Sequence, residues 1–188
     1  MGIDSFEKYR KSLLSTLGEL VGQEWGKAAN LILDCIKTDT PIFIIGNGGS
    51  AMTANHFEID WQKGVREISG TSLKARSLCT NSGLIMAIGN DVSFDKIFVD
   101  QLKYYSSNNF LLIAISGSGN SENVIQAVDY TRSIGAEHIA LVGFDGGRLL
   151  SISDNYILVP INNMQIVEDI HSIFGHFVLH FIKDNYSK

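Results

Sequence analysis

The chain has 188 residues, 45% of them apolar and 19% charged, with a formal net charge of −5. That length and apolar share support one folded domain with a proper core and exclude a disordered chain. The acidic balance excludes a general nucleic-acid surface, which needs clustered Lys and Arg, but leaves backbone amides free to hold a small phosphate.

Residues 3–37 carry no strand-like alternation. Phe6, Tyr9, Leu13, Leu14, Leu17 and Leu20 recur at helical spacing and predict an amphipathic helix opening near Asp4 or Ser5. Asp4, Glu7 and Lys8 interrupt any apolar run there, so no signal peptide is expected. Trp25, Ala28, Ala29, Leu31, Ile32 and Cys35 continue the pattern as a second helix. So long a helical lead-in needs a surface to cover, and both the sheet and another subunit are expected to supply it.

Thr40-Pro41 ends that helix, and Pro41 suits the head of a first strand over residues 42–45. The strand runs into Gly46-Asn47-Gly48-Gly49-Ser50, and a helix is predicted over 50–62. A weak second strand (74–79), a turn at Thr80-Asn81-Ser82-Gly83, a short helix (84–88) and a turn at Gly89-Asn90-Asp91 follow. Phe94, Ile97, Phe98, Gln101 and Leu102 form a helix face. Residues 110–115 read as a third strand, apolar throughout, as a strand buried on both faces should be. Next come Ser116-Gly117-Ser118-Gly119-Asn120-Ser121, a helix over 121–134 closed by Gly135, and a fourth strand over 138–142. The turn Gly143-Phe144-Asp145-Gly146-Gly147, a fifth strand (155–159) and a long helix (164–183) complete the chain. No apolar run approaches the roughly 20 residues of a membrane span, so a cytoplasmic protein without membrane contact is expected. Cys35 and Cys79 form no CxxC pair and read as buried thiols.

Strand, turn and helix in repetition predict an α/β three-layer sandwich: a five-stranded parallel sheet between helices, in one domain over 1–188. All three glycine-rich turns fall at the carboxyl ends of strands, where such sheets bind ligands. In the first turn, glycines let the backbone approach a guest, and the following helix aims N–H groups and partial positive charge at it. The second adds the hydroxyls of Ser116, Ser118 and Ser121, of which Ser121 can also cap the next helix. Together they predict a grip on one sugar phosphate. The second is not a dinucleotide fingerprint: it lacks a third glycine, and no acidic residue closes the next strand near 142. Nor is it a Walker A loop, since no Lys-Ser/Thr follows its glycines.

His56 and Asp60 are four apart and share one helix face. The last helix carries Glu168, Asp169, His171, His176 and His180. Any one of these histidines could be structural, but four with three carboxylates on two helices predict a metal or acid–base site. Zn²⁺ leads, because imidazole and carboxylate suit it.

Gly46-Asn47-Gly48-Gly49-Ser50 with His56-Phe57, and Ser116-Gly117-Ser118-Gly119-Asn120-Ser121 with Asn123-Val124, resemble the sugar isomerase (SIS) domain family, in its phosphoheptose isomerase branch. Gly89-Asn90-Asp91, the 143–147 turn and Glu168, His171 and His176 extend the likeness along the chain. The resemblance implies an aldose–ketose isomerase acting on sedoheptulose 7-phosphate through an enediol. It also implies a homotetramer with sites shared between subunits, and one zinc per site. Carried over by position, it implies that Ser50, Ser116, Ser118 and Ser121 hold the phosphate, with Asn47, Gly48, Gly49, Asp91 and Glu168 also at the substrate. It implies metal ligands at His56, Asp60, Glu168 and His176, and a catalytic pair of Asp60 as base and His176 as acid.

Departures from that family bear on the chemistry. Asp60 stands for a Glu, retracting the carboxylate by about 1.5 Å, enough to spoil a proton transfer. Glu168 stands for a neutral Gln, Gly64 for an Arg, Gln165 for an Asp and Gly117 for a Thr. Glu168 and His176 would lie ~12 Å apart along a regular helix. Either two subunits contribute to one site, or the helix starts after Glu168. A base, Asp60 or Glu168, would take the proton beside a carbonyl. The alternative is a non-catalytic SIS-domain protein binding a phosphosugar or a protein partner, as DnaA-interacting members do. Retention of His56 and His176 speaks for the enzyme, and the lack of a basic recognition helix in 1–37 speaks against a DNA-linked sensor.

Overall fold

A computed structural model describes residues 2–20, 22–105 and 109–186. Its strands are β1 (Ile42–Gly46), β2 (Ala75–Ser77), β3 (Leu111–Ser116), β4 (Glu137–Gly143) and β5 (Tyr156–Val159). All pair in parallel, in the order β2-β1-β3-β4-β5. Every residue of β1 and β3 is buried, which explains their unbroken apolar sequence. Alternate side chains serve opposite faces. Ile42, Ile44, Ile113 and Leu141 pack under α2 (Gly22–Thr38), α3 (Gly49–Ser69) and α8 (Met164–Asn185). Phe43, Ile45, Leu112 and Val142 pack under α4 (Ser82–Asp91), α5 (Val99–Tyr104), α6 (Glu122–Ser133) and α7 (Gly147–Ser151). The three-layer sandwich is as the sequence predicts.

Several boundaries differ. α3 runs seven residues beyond 62, because Val65 continues its buried stripe until Gly70, at φ 76°, turns the chain and donates to Arg66 O. Gly89-Asn90-Asp91 is the end of α4, not a turn; the Asn81 side chain caps the start of that helix and Val92 N–H bonds back to Ile88 O. The 94–102 face divides into a 3₁₀ turn (Phe94–Lys96) and α5. α7 was not anticipated, because its five residues are too few to show a period.

The N-terminal helices divide their labour. α2 covers the sheet with Ala28, Ala29, Ile32, Leu33 and Ile36. α1 (Gly2–Glu19) lies on α8 instead, packing Tyr9, Leu13 and Leu17 near Ile166 and Ile170. The Tyr9 hydroxyl donates to the Asp169 carboxylate. Phe6 and Leu14 on α1 face solvent, 63% and 56% exposed.

α3 and α8 pack closely against each other. A Cβ on Gly175 would sit 2.1 Å from the Phe57 ring, which stacks on Trp61 at 4.8 Å. Trp61 Nε1 donates to Gly175 O at 2.9 Å. Both aromatic rings are buried, so neither can give way. Gly175→Ala is therefore expected to lower stability by about 1–3 kcal/mol despite alanine's better helix propensity, which denaturant titration would measure.

Candidate active site

The order of the sheet reverses direction between β1 and β3, and the two phosphate-type loops leave the sheet on either side of that point. They are tied together. Asn47 Nδ2 donates to Asn123 Oδ1 at 2.8 Å, and Asn123 Nδ2 donates to Asn47 Oδ1 at 2.9 Å. Asn123 is 2% exposed and belongs to the site's frame. Sequence reasoning used it only as part of a motif; the available signal was a polar residue on the apolar face of α6.

In the first loop the backbone of Ser50 comes so close to Gly46 that a Cβ there would lie 2.7 Å from Ser50 O. Gly48 adopts φ 53° and no side chain caps α3. Ser50 is buried in the first turn of that helix. The carboxylate of Glu168, arriving from α8, fills the notch left by the missing side chain of Gly49: a Cβ there would lie 2.3 Å from Oε1. The loop is thus partly taken up by the chain's own anion.

The second loop is the open one. Ser116 Oγ donates to Ser121 Oγ at 3.3 Å, and Ser118 Oγ accepts from the Asn120 N–H at 3.3 Å. Ser121 occupies the N-cap position of α6 but makes no capping side-chain bond, so the expected cap is not formed. The Val124 N–H bonds back to Ser121 O at 3.1 Å, so the amides of Glu122 and Asn123 and the partial positive charge of the α6 N-terminus are what remains for a guest.

The third glycine turn braces the second. Gly143 N–H donates to Gly117 O at 2.8 Å, and Arg148 N–H donates to Asn120 Oδ1 at 3.1 Å. Gly119, at φ 66°, lies so close to Gly146 that a Cβ would meet Gly146 O at 2.0 Å. Asp91 sits exposed at the end of α4, accepting from Asn90 Nδ2 at 2.8 Å, with no hydrogen bond to either loop among the described residues.

Further along α3 and α8, three donors converge. His56 Nε2 and His176 Nε2 are 3.0 Å apart. Asp60 Oδ2 is 3.2 Å from the first and 3.5 Å from the second. The α3–α8 crossing causes this, since Gly175 brings the backbone beside His176 down onto Phe57, the neighbour of His56. Two imidazole nitrogens and a carboxylate oxygen, all within 4.8 Å of one another, form a donor set that fits Zn²⁺. Their side chains are a third to a half exposed, which leaves coordination positions open. Glu168 is not in this group. α8 is continuous through both Glu168 and His176, so the helix does not start after Glu168.

Burial pushes the Cys35 thiol up to about 12 and raises that of Cys79 as well, so neither supplies a thiolate at neutral pH. His171 is buried beneath the end of β4, its Nε2 3.3 Å from Val142 O.

Residues 5–143 match the SIS domain family model, and the chain belongs to that family. Within it, the chain stands with the phosphoheptose isomerases. It is 32% identical to the phosphoheptose isomerase of Aliarcobacter butzleri over 98% of this chain and 97% of that one. It is 36% identical to that of Shewanella sp. strain ANA-3 over 97% and 91% of the two chains. The solved phosphoheptose isomerase GmhA of Neisseria gonorrhoeae superposes with a TM-score of 0.86 at 30% identity, covering 98% of this chain and all of that one. The solved enzyme from Francisella tularensis superposes at 0.89 with 26% identity and the same coverage.

The buried ring of His171 gives the site's scaffold a pH dependence. Burial lowers its pKa from 6.5 to about 4, against the opposing hydrogen bond to Val142. The ring is therefore neutral in the native state at pH values where the unfolded chain takes up a proton. Between about pH 6.5 and 4 the unfolded state binds more protons, so stability falls as pH is lowered through that window. Unfolding titrations of His171→Gln from pH 7.5 to 4.5 should show a shallower loss of stability than the parent protein.

Proposed function

We propose that this chain is an aldose–ketose isomerase interconverting sedoheptulose 7-phosphate and D-glycero-D-manno-heptose 7-phosphate through an enediol. The convergence of His56, Asp60 and His176 carries the reading, because a partner-binding relative has no need of a metal-type donor set. Similarity to phosphoheptose isomerases along nearly the whole chain supports it.

In this reading the phosphate lies at the N-terminus of α6, held by Ser116, Ser118 and Ser121. Asn47 and the turn through Gly48, Gly49 and Ser50 orient the sugar hydroxyls beside it, with Asp91 at the margin. His56, Asp60 and His176 hold one Zn²⁺, which when bound supplies Lewis-acid polarisation of a carbonyl. Asp60 turns a single oxygen to both imidazoles, so its part is to hold the ion. The proton carried between neighbouring oxygens is assigned to His176, at times when its ring is released from the ion.

The site is shared between subunits of a cytoplasmic homotetramer. Glu168 and His176 are ~12 Å apart along one unbroken α8. Met52 and Ile59, 62% and 64% exposed, flank His56 on α3 and give a second copy an apolar surface to cover. No helix among the described residues is long and apolar enough to cross a membrane.

The test is turnover of sedoheptulose 7-phosphate with metal analysis of the purified protein. Asp60→Asn should lose zinc, and both it and His176→Gln should fall at least about 100-fold in rate. Parental rates in both variants contradict the reading. Activity should also disappear when the assembly is diluted to monomers, and an active, metal-bound monomer would exclude a shared site.

A further inference from the structure

Glycine leaves the first loop conformationally free, so part of its shape has to be fixed from outside. Gly48 stands at φ 53°, and no side chain caps α3. The tie comes from α6. Asn123, in the first turn of that helix, is 2% exposed. Its Nδ2 donates to Asn47 Oδ1 at 2.9 Å, and its Oδ1 accepts from Asn47 Nδ2 at 2.8 Å. Two opposed bonds between planar amides fix distance and orientation together. A buried amide deprived of that partner is left unpaired, so the pair resists opening. Beyond the ladder of β1 and β3, no other hydrogen bond joins the two loops among the described residues.

The two ends of this pair lead to different parts of the crevice. On one side, the backbone N–H of Asn123 is one of the amides left for a guest at the α6 N-terminus, where the phosphate is proposed to lie. On the other, Asn47 O accepts from the Ala51 N–H at 3.3 Å, in the opening turn of α3. His56 and Asp60 follow on that same helix. One residue thus offers its main chain to the phosphate and its side chain to the turn that launches the helix of the donor cluster.

We propose that Asn123 is a positioning residue that couples the phosphate loop to the sugar turn, so that phosphate bound in the second loop speeds the chemistry at the far end of the sugar; this rests on the function proposed above. The phosphate is remote from the bonds that change. Its binding energy raises turnover only where it fixes groups at the reacting end. A phosphate settled against the α6 N-terminus holds Asn123. Through the amide pair it holds Asn47 and the opening turn of α3, and with them the sugar hydroxyls that this turn orients. Asn123 touches no reacting atom. Its loss therefore lowers turnover more than it weakens substrate binding.

The test divides the substrate into two pieces. Turnover of sedoheptulose, which lacks the phosphate, is followed by NMR in the zinc-loaded protein with increasing phosphite dianion as the separate anion, beside turnover of sedoheptulose 7-phosphate. In the parent, saturating phosphite should raise turnover of sedoheptulose at least about tenfold. In Asn123→Ala that factor should fall at least about fivefold, and kcat for the whole substrate should fall about 10–100-fold while KM changes less than about threefold. Asn47→Ala cuts the same pair from its other side, and adding Asn123→Ala to it should lower kcat by less than about threefold more. If Asn123→Ala does not fold, Asn123→Asp keeps the shape, removes the donated bond and should lose the stimulation in the same way. A smaller fall in stimulation overturns the proposal. So does a loss confined to KM, which would make Asn123 part of the phosphate grip alone, and so does a parent that phosphite does not stimulate. A parent inactive on sedoheptulose 7-phosphate removes the functional reading itself, a result distinct from these.

Discussion

The close crossing of α3 over α8 is the contact on which the candidate site depends. Gly175 has no side chain, so the Phe57 ring can lie against the α8 backbone, and Trp61 can reach Gly175 O with its indole N–H. Each fully buried aromatic side chain stabilises the fold by roughly 1.5–3 kcal/mol. The polar consequence appears one residue away from each: His176 follows Gly175, His56 precedes Phe57, and the two rings meet edge to face at 5.2 Å. An apolar packing event thus sets a polar geometry. The donor cluster is only half-buried, so its arrangement owes more to these helices than to its own weak, solvent-screened attractions.

A second constraint operates at the carboxyl ends of the strands. The three glycine turns have different tasks. The first accepts Glu168 at Gly49 and joins its neighbour through the Asn47–Asn123 amide pair. The second presents Ser116, Ser118, Ser121 and an uncapped helix end. The third buttresses the second from behind, through Gly143, Gly146 and Arg148. Loop rigidity matters because catalytic and binding groups misplaced by about 1 Å lose much of their effect.

Much of this was legible before the structure. Five parallel strands followed from strand-like runs punctuated by turn residues, most plainly the apolar β1 and β3, and the pairing of His56 with Asp60 followed from a spacing of four on one helix. His176 could be placed on the final helix but not opposite His56, because that depends on where two helices cross, and crossing is set by Gly175 and Phe57 together. The occupation of the first loop by Glu168 was hidden for the same reason: the residues involved are 119 apart in sequence and meet only through tertiary packing. The misread turn at Gly89-Asn90-Asp91 shows tertiary context overriding local turn preference, since Ile88 is buried and holds that end of α4 helical.

The central claim is a division of the crevice, with the ion at His56, Asp60 and His176 and the phosphate in the serine loop. Crystals of the zinc-loaded protein soaked with sedoheptulose 7-phosphate, with anomalous data collected at the zinc edge, test it most directly. The account predicts an anomalous peak at roughly 2.0–2.2 Å from the two imidazole nitrogens and from Asp60, with the phosphate at Ser116, Ser118 and Ser121. A zinc peak away from those three side chains, or a phosphate in the Gly46–Ser50 turn with Glu168 expelled, would contradict it.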